Sequence, residues 1–311
     1  MRDDLKKMIY NPRSFYINYQ KDYHLIKATY LNNLFESLND DKEISFWGNL
    51  ELERKEEVKR VLKSDLRQTY FHSIETFFEL FFALNPKGKE SFDDEYVLYL
   101  LANSNWQDTY KKIKIIAENE NSLDYLNEEI TFLNQKVSIG HFLFYAGIFQ
   151  NDKFPKELFD EINDSIEAIK FGIHIIAKDF IDREEYNAYK HGLRLIPSFK
   201  KVMFVSKKDF KVKIEWDLSD SMSFYSKSKK PEELIYVTKV FDFERDYQMT
   251  CFCSHMIHHM IFYRRLMMKF EEDEGKFDPF KITFFGKEPI ENCNKRNTDA
   301  ESFVYTITKQ S

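Results

Sequence analysis

Eight glycines and seven prolines punctuate a chain of 311 residues, and they fall between stretches of regular apolar spacing. A chain so poor in breakers is constrained to long helices, because Gly or Pro inside a helix costs about 1 to 3 kcal/mol and little at its ends. Asn11-Pro12 reads as a cap and first-turn pair opening a helix to about Leu38. A second helix is expected from about Leu50 to Leu84, stopping at Asn85-Pro86. Shorter ones follow at about Asp93–Ala102, Asn105–Ala117, Ser122–Asn134 and Ser138–Phe149. Pro155 starts a helix reaching Ile181, and Asp182 caps one that ends near Leu193.

At Pro197 the pattern changes. Phe210, Val212, Ile214 and Trp216 alternate with Lys211, Lys213, Glu215 and Asp217, the period of two that marks a half-buried strand. Val202–Val205 and Leu234–Phe241 also read as strands, joined by Ser- and Lys-rich connections into an antiparallel meander of three or four strands. A last long helix is expected from about Glu244 to Glu272, and Ile282–Phe285 and Phe303–Thr308 read as strand-like pieces completing the sheet. The expected fold class is α+β, mostly α. A helical bundle occupies 1–196, and an antiparallel β-meander with the long C-terminal helix occupies 197–311, packed on the bundle.

Thirty-one Phe and eighteen Tyr imply a core built from rings and an aromatic surface patch. The net charge of −6 gives the molecule no general attraction for nucleic acid or an anionic membrane. It is unevenly spread: between Ser198 and Lys230 nine Lys stand against four acids, a local +5, so the rest carries −6 − 5 = −11. Cys251, Cys253 and Cys293 are too few for a disulfide framework. No apolar run follows Met1-Arg2-Asp3-Asp4, and no stretch approaches the roughly 20 apolar residues of a membrane span. The expectation is a cytoplasmic protein with no membrane partner.

Within the second long helix, Phe71, Ile74, Phe78 and Phe82 form an apolar stripe that Arg67 shares, while His72, Glu75 and Glu79 lie on the adjoining flank. A lone cation aimed at a core costs several kcal/mol, so an acidic group or several carbonyls should meet Arg67. One reading is a structural ion pair between helices. The other is a site where Arg67 stabilises a phosphate and His72 acts as acid or base. Arg-x4-His on a helix of a bundle resembles the signature of the HEPN ribonucleases. The resemblance implies metal-independent RNA cleavage, no cofactor, a composite site across a homodimer, and a defence or toxin setting. It rests on Arg67 and His72, and Gln68 stands where the family prefers Asn, Asp or His.

Arg183, Asn187, Lys190, His191 and Arg194 fall at i, i+4, i+7, i+8 and i+11, one face of a helix. Cations near a helix C-terminus, which Gly192 and Pro197 mark here, complement its dipole. The same face also suits RNA phosphates or a phosphorylated small molecule, or Glu75 and Glu79 across a buried polar network. Asn-x-x-Lys-His-Gly over 187–192 also resembles a pattern of bacterial helical proteins, some of them HEPN-like.

In the last helix Cys251, His255, His258 and His259 share a face with Phe262 and Leu266. Histidines at i and i+4 can pair on zinc, but no second ligand segment is apparent, so this reads as a core or interface helix and no metal is assigned. Lys200, Lys201, Lys207, Lys208, Lys211 and Lys213 on the meander either track a phosphate backbone or form a solvated face. A phosphate-binding Gly loop, a nucleophile elbow, Cys-x-x-Cys and Glu-x-x-His do not occur in the sequence. Two functions remain. One is a HEPN-like protein acting on RNA, with Arg67 and His72 catalytic and Glu75, Glu79, Arg183, Asn187, Lys190, His191 and Arg194 around the strand. The alternative is a non-catalytic interaction or assembly module that holds a protein partner.

Overall fold

The computed structural model describes residues 12–39, 52–86, 94–132, 135–146, 154–181, 186–188, 195–197, 201–217, 221–227, 230, 233–240, 242–272, 281–295 and 302–308. The fold is mostly α with antiparallel β, as expected. The helices are α1 (Pro12–Asn18), α2 (Tyr23–Asn39), α3 (Leu52–Leu84), α4 (Asp94–Ala102), α5 (Trp106–Glu118), α6 (Ile139–Tyr145), α7 (Lys156–Phe180), α8 (Phe243–Glu272) and α9 (Lys287–Lys295). A 3-10 helix over Glu120–Asn127 leads into the hairpin β1 (Glu129–Phe132) and β2 (Gln135–Ser138). The later strands are β3 (Leu195–Pro197), β4 (Lys201–Val205), β5 (Val212–Asp217), β6 (Ser221–Lys227), β7 (Glu233–Val240) and β8 (Ser302–Thr308).

The chain forms two compact units that interleave along the sequence. The first comprises Met1–Lys27, His72–Ile181 and Met249–Asn292; the second comprises Ala28–Phe71, Asp182–Gln248 and Cys293–Ser311. In the first unit α7 buries Ile162, Ile166, Ile169, Ile173, Ile176 and Phe180, the three-and-four spacing of one helical stripe. Stacked rings continue the core, with Phe77 and Phe81 centroids 5.5 Å apart and Phe81 and Phe144 6.3 Å apart. Gly172 of α7 lies so close to Phe252 of α8 that a Cβ there would overlap the Phe252 ring. Arg264 donates to Asp94 at 3.1 Å and lies 4.9 Å from the Phe142 ring centre, so its buried charge has both a carboxylate and a ring face.

The second unit is built on Ala28, Leu31, Leu38, Leu62, Leu66 and Phe243, with Phe35 stacked on Phe243 at 4.0 Å. Its four-stranded antiparallel sheet runs in the order β3-β6-β7-β8. The register pairs Ser223 with Thr238, whose hydroxyls bond at 2.7 Å. β4 and β5 form a separate two-stranded hairpin.

Several elements depart from expectation. The helix read from Asn11 to Leu38 is two helices, α1 and α2, parted at 19–22, because the carbonyls that would continue α1 are taken by a side chain of α8. Of Ser122–Asn134, read as helix, the described residues form the end of a 3-10 turn and then β1, and 133–134 lie outside them. There Ile130 pairs with Val137 across the hairpin, and Phe132 meets Phe142 edge-on at 5.0 Å. Ile282–Phe285, read as a strand, is irregular: the Phe285 N–H donates to Ser165 Oγ at 2.7 Å, and the Thr283 carbonyl accepts from the Tyr145 hydroxyl at 3.3 Å. Two of its backbone groups are thus satisfied by side chains and not by a ladder. Phe303–Thr308 does join the sheet, as β8 beside β7. β6 occupies sequence read as a Ser- and Lys-rich connection.

Candidate active site

The site is built in the first unit, where α8 supplies caps to its neighbours. A helix leaves its last carbonyls and first N–H groups without intrahelical partners. Arg265 meets that need at the end of α1, donating to the carbonyls of Tyr16, of Ile17 at 2.6 Å and of Tyr19 at 3.1 Å. At the start of α2, the Leu25 N–H donates to Ser254 Oγ at 3.2 Å. The turn at 19–22 is thus held from both sides by one face of α8, and that face carries His255 and His258.

From this turn Asp22 reaches His258, with Oδ1 to Nδ1 at 2.7 Å. Lys21 Nζ lies 2.9 Å from the other Asp22 oxygen and 3.1 Å from the same Nδ1. The shorter contact to a carboxylate places the proton on Nδ1 and leaves Nε2 as the reactive edge. Asp22 and His258 side chains are about one-third exposed, 32% and 31%. Burial alone raises the Asp22 carboxyl, but the hydrogen bonds from Lys21 and His258, with their charges, hold it below the usual carboxylate range. Desolvation first, and then His258, hold His255 below the ordinary histidine value, although its side chain reaches solvent.

His72 projects from α3 in the same unit. It is exposed, with its ring 4.9 Å from His24 and 6.3 Å from Tyr23, the two residues after Asp22. His24 is buried and bonds through Nε2 to Thr76 Oγ1 at 3.1 Å. The Thr76 hydroxyl itself donates to the His72 carbonyl at 2.9 Å, so His24 is the donor in that pair. Desolvation, then the charges of His72 and Lys27, push His24 down to about 4.

Arg67 and His72 are separated by roughly 140° around α3, and they meet different groups. Arg67 Nη1 donates to Asp246 at 2.6 Å, and its guanidinium lies 4.9 Å from the Phe71 ring centre and 5.7 Å from that of Tyr70. The acidic partner that the charge argument requires is Asp246, itself buried. Glu75 and Glu79 are half-buried in the first unit, and Glu79 accepts from Ser104 at 3.2 Å. Asn187 is half-buried in a helical stretch at 186–188 beside Tyr186, whose ring is 5.4 Å from Phe71. Arg183, Lys190, His191 and Arg194 lie outside the described residues.

On α8, His255 is exposed, Cys251 and His258 are half-buried, and His259 is buried. Among the described residues no group of three or more His, Cys, Asp and Glu is placed to hold a metal ion. Lys21 and Asp22 were not visible as site residues, since the sequence reads as one helix through 19–22 and gives no sign of the turn that presents them. The only signal was His255 and His258 at i and i+3 on a helix whose other flank is apolar. Among the described residues no helix is long and apolar enough to cross a membrane. No family model matches the chain, and no curated protein or solved structure matches it either.

Proposed function

We propose that the protein cleaves single-stranded RNA by general acid–base catalysis with the α8 imidazoles, without a metal. The reading is carried by the 2.7 Å contact of Asp22 with His258, beside His255 one helical turn away. RNA brings its own nucleophile, so the site must supply only a base, an acid and a cation. His255, kept neutral, accepts the 2′-hydroxyl proton as the 2′-oxygen bonds to phosphorus. His258, entering the cycle as the imidazolium with Nδ1–H on Asp22, delivers its Nε2 proton to the departing 5′-oxygen, and the P–O5′ bond breaks. The products are a 2′,3′-cyclic phosphate and a 5′-hydroxyl, and exchange with water restores both imidazoles. Asp22 fixes the His258 tautomer and orientation. Lys21, paired with Asp22, is the cation beside His258, a role the sequence suggested for Arg67, which belongs to the second unit and pairs with Asp246. His72, against Tyr23 and His24, extends the imidazole surface along the substrate. The Arg-x4-His resemblance points to the same chemical class.

The test is cleavage of a fluorescent oligoribonucleotide by the full chain and by His258→Gln and Asp22→Asn. The rate is expected to fall about 10²- to 10⁴-fold for His258→Gln, less for Asp22→Asn, with a cyclic phosphate on the product. Cleavage by His258→Gln at the wild-type rate contradicts the reading. The non-catalytic alternative draws on the Arg67–Asp246 pair and on exposed Tyr23, Ile26 and Tyr30 along α2. An inert wild-type chain favours it.

A further inference from the structure

The β4–β5 hairpin carries an aromatic ring where folding gives no reason for one. Phe210, in the loop between the two strands, is 82% exposed and has a φ of 54°. Glycine adopts that backbone freely, whereas a bulky residue does so only against steric resistance. The loop nonetheless holds this shape. Phe210 N–H donates to the Ser206 carbonyl at 2.9 Å, and Ser206 N–H donates to the Lys211 carbonyl at 2.9 Å. The Lys208 N–H meets Ser206 Oγ at 3.2 Å, and the Lys211 N–H meets Asp209 Oδ1 at 3.3 Å. Lys207, Lys208 and Lys211 flank Phe210 along the loop and are all exposed. They sit in a segment with a surplus of positive charge, +5 over Ser198–Lys230, in a chain whose net charge is −6.

We propose that this hairpin tip binds single-stranded RNA, Phe210 stacking on an unpaired base while Lys207, Lys208 and Lys211 contact the flanking phosphates. A ring held outward by a fixed loop loses little freedom on stacking, and every base offers a π-face. Paired bases are already stacked, so a duplex gives the ring no partner and a single strand does. Charge complementarity selects a polyanion. The inference rests on the proposed RNA reading only for the choice of RNA over DNA.

The test is the affinity of the full chain for a labelled 2′-O-methyl oligouridylate, which has no free 2′-hydroxyl and is not cut. Phe210→Gly, which suits the observed φ and keeps the hairpin folded, is expected to weaken binding about tenfold. Phe210→Trp is expected to bind at least as well as wild type. Replacing the three lysines by Gln should reduce the slope of log Kd against log salt by about 2, at roughly 0.7 per single-strand phosphate contact. Unchanged affinity in Phe210→Gly overturns the proposal, as does loss of binding to phosphatidylserine vesicles alone, which reassigns the tip to a membrane. Since this oligonucleotide reports binding alone, wild-type cleavage of unmodified RNA with no Phe210 effect sinks the tip and spares the imidazole site. Phe210-dependent binding without any cleavage does the reverse.

Discussion

Arg67 shows how much one buried charge commits a site. Its side chain is 13% exposed and meets an Asp246 side chain that is 2% exposed. Removing the guanidinium takes a bonded cation away from that buried carboxylate. Arg67→Ala is therefore expected to lower the unfolding free energy by about 3 to 5 kcal/mol, and adding Asp246→Asn should recover part of the loss. Denaturant titration checks both; a double variant no more stable than Arg67→Ala contradicts the pairing. The need for an acid was legible in the sequence, because Arg67 lies on a stripe of Phe and Ile. Its identity was not, because Asp246 is 179 residues away. Buried histidines make a second prediction. Desolvation pushes His24 and His141 from 6.5 to about 4 and His259 to about 3. Such groups are neutral in the fold and bind more protons when unfolded, so stability is retained above about pH 6.5 and lost as pH falls toward 4. The thermal midpoint should drop across that window and drop less in His259→Phe. A midpoint unchanged between pH 7 and 4.5 is inconsistent with this.

At the scale of elements, helix cores were readable and helix junctions were not. The apolar spacing of 156–180 and the breakers at its start are local properties, so α7 lies close to its expected place. The break between α1 and α2 depends on Arg265 and Ser254, which come from α8, and no local pattern near 19–22 encodes them. The same holds for 282–285, where side chains of α6 and α7 take two of the backbone groups a strand would have used. Gly172 belongs to this scale too. It marks the close approach of α7 and α8 at Phe252, so Gly172→Ala should destabilise the protein by about 1 to 3 kcal/mol. Trimming the ring in Gly172→Ala/Phe252→Leu should restore part of that. An alanine variant as stable as wild type contradicts the tight contact.

For the whole molecule, the mostly α, α+β class followed from breaker scarcity and from the change to a period of two near Pro197, where β3 ends. The interleaving of the two units did not, since it depends on which distant segments pack together. The imidazole site has the same character. His255 and His258 could be read as neighbours on one face, but Asp22 joins them only because α8 holds the turn before α2. That long-range arrangement is what the proposed cleavage depends on. The most direct test is the pH dependence of kcat/KM for RNA cleavage in EDTA by wild type, His255→Ala and His258→Ala. A base and an acid give wild type a bell-shaped profile, and each variant should lose one limb together with most of the rate. A wild-type profile kept by both variants, or activity abolished by EDTA, would contradict the account.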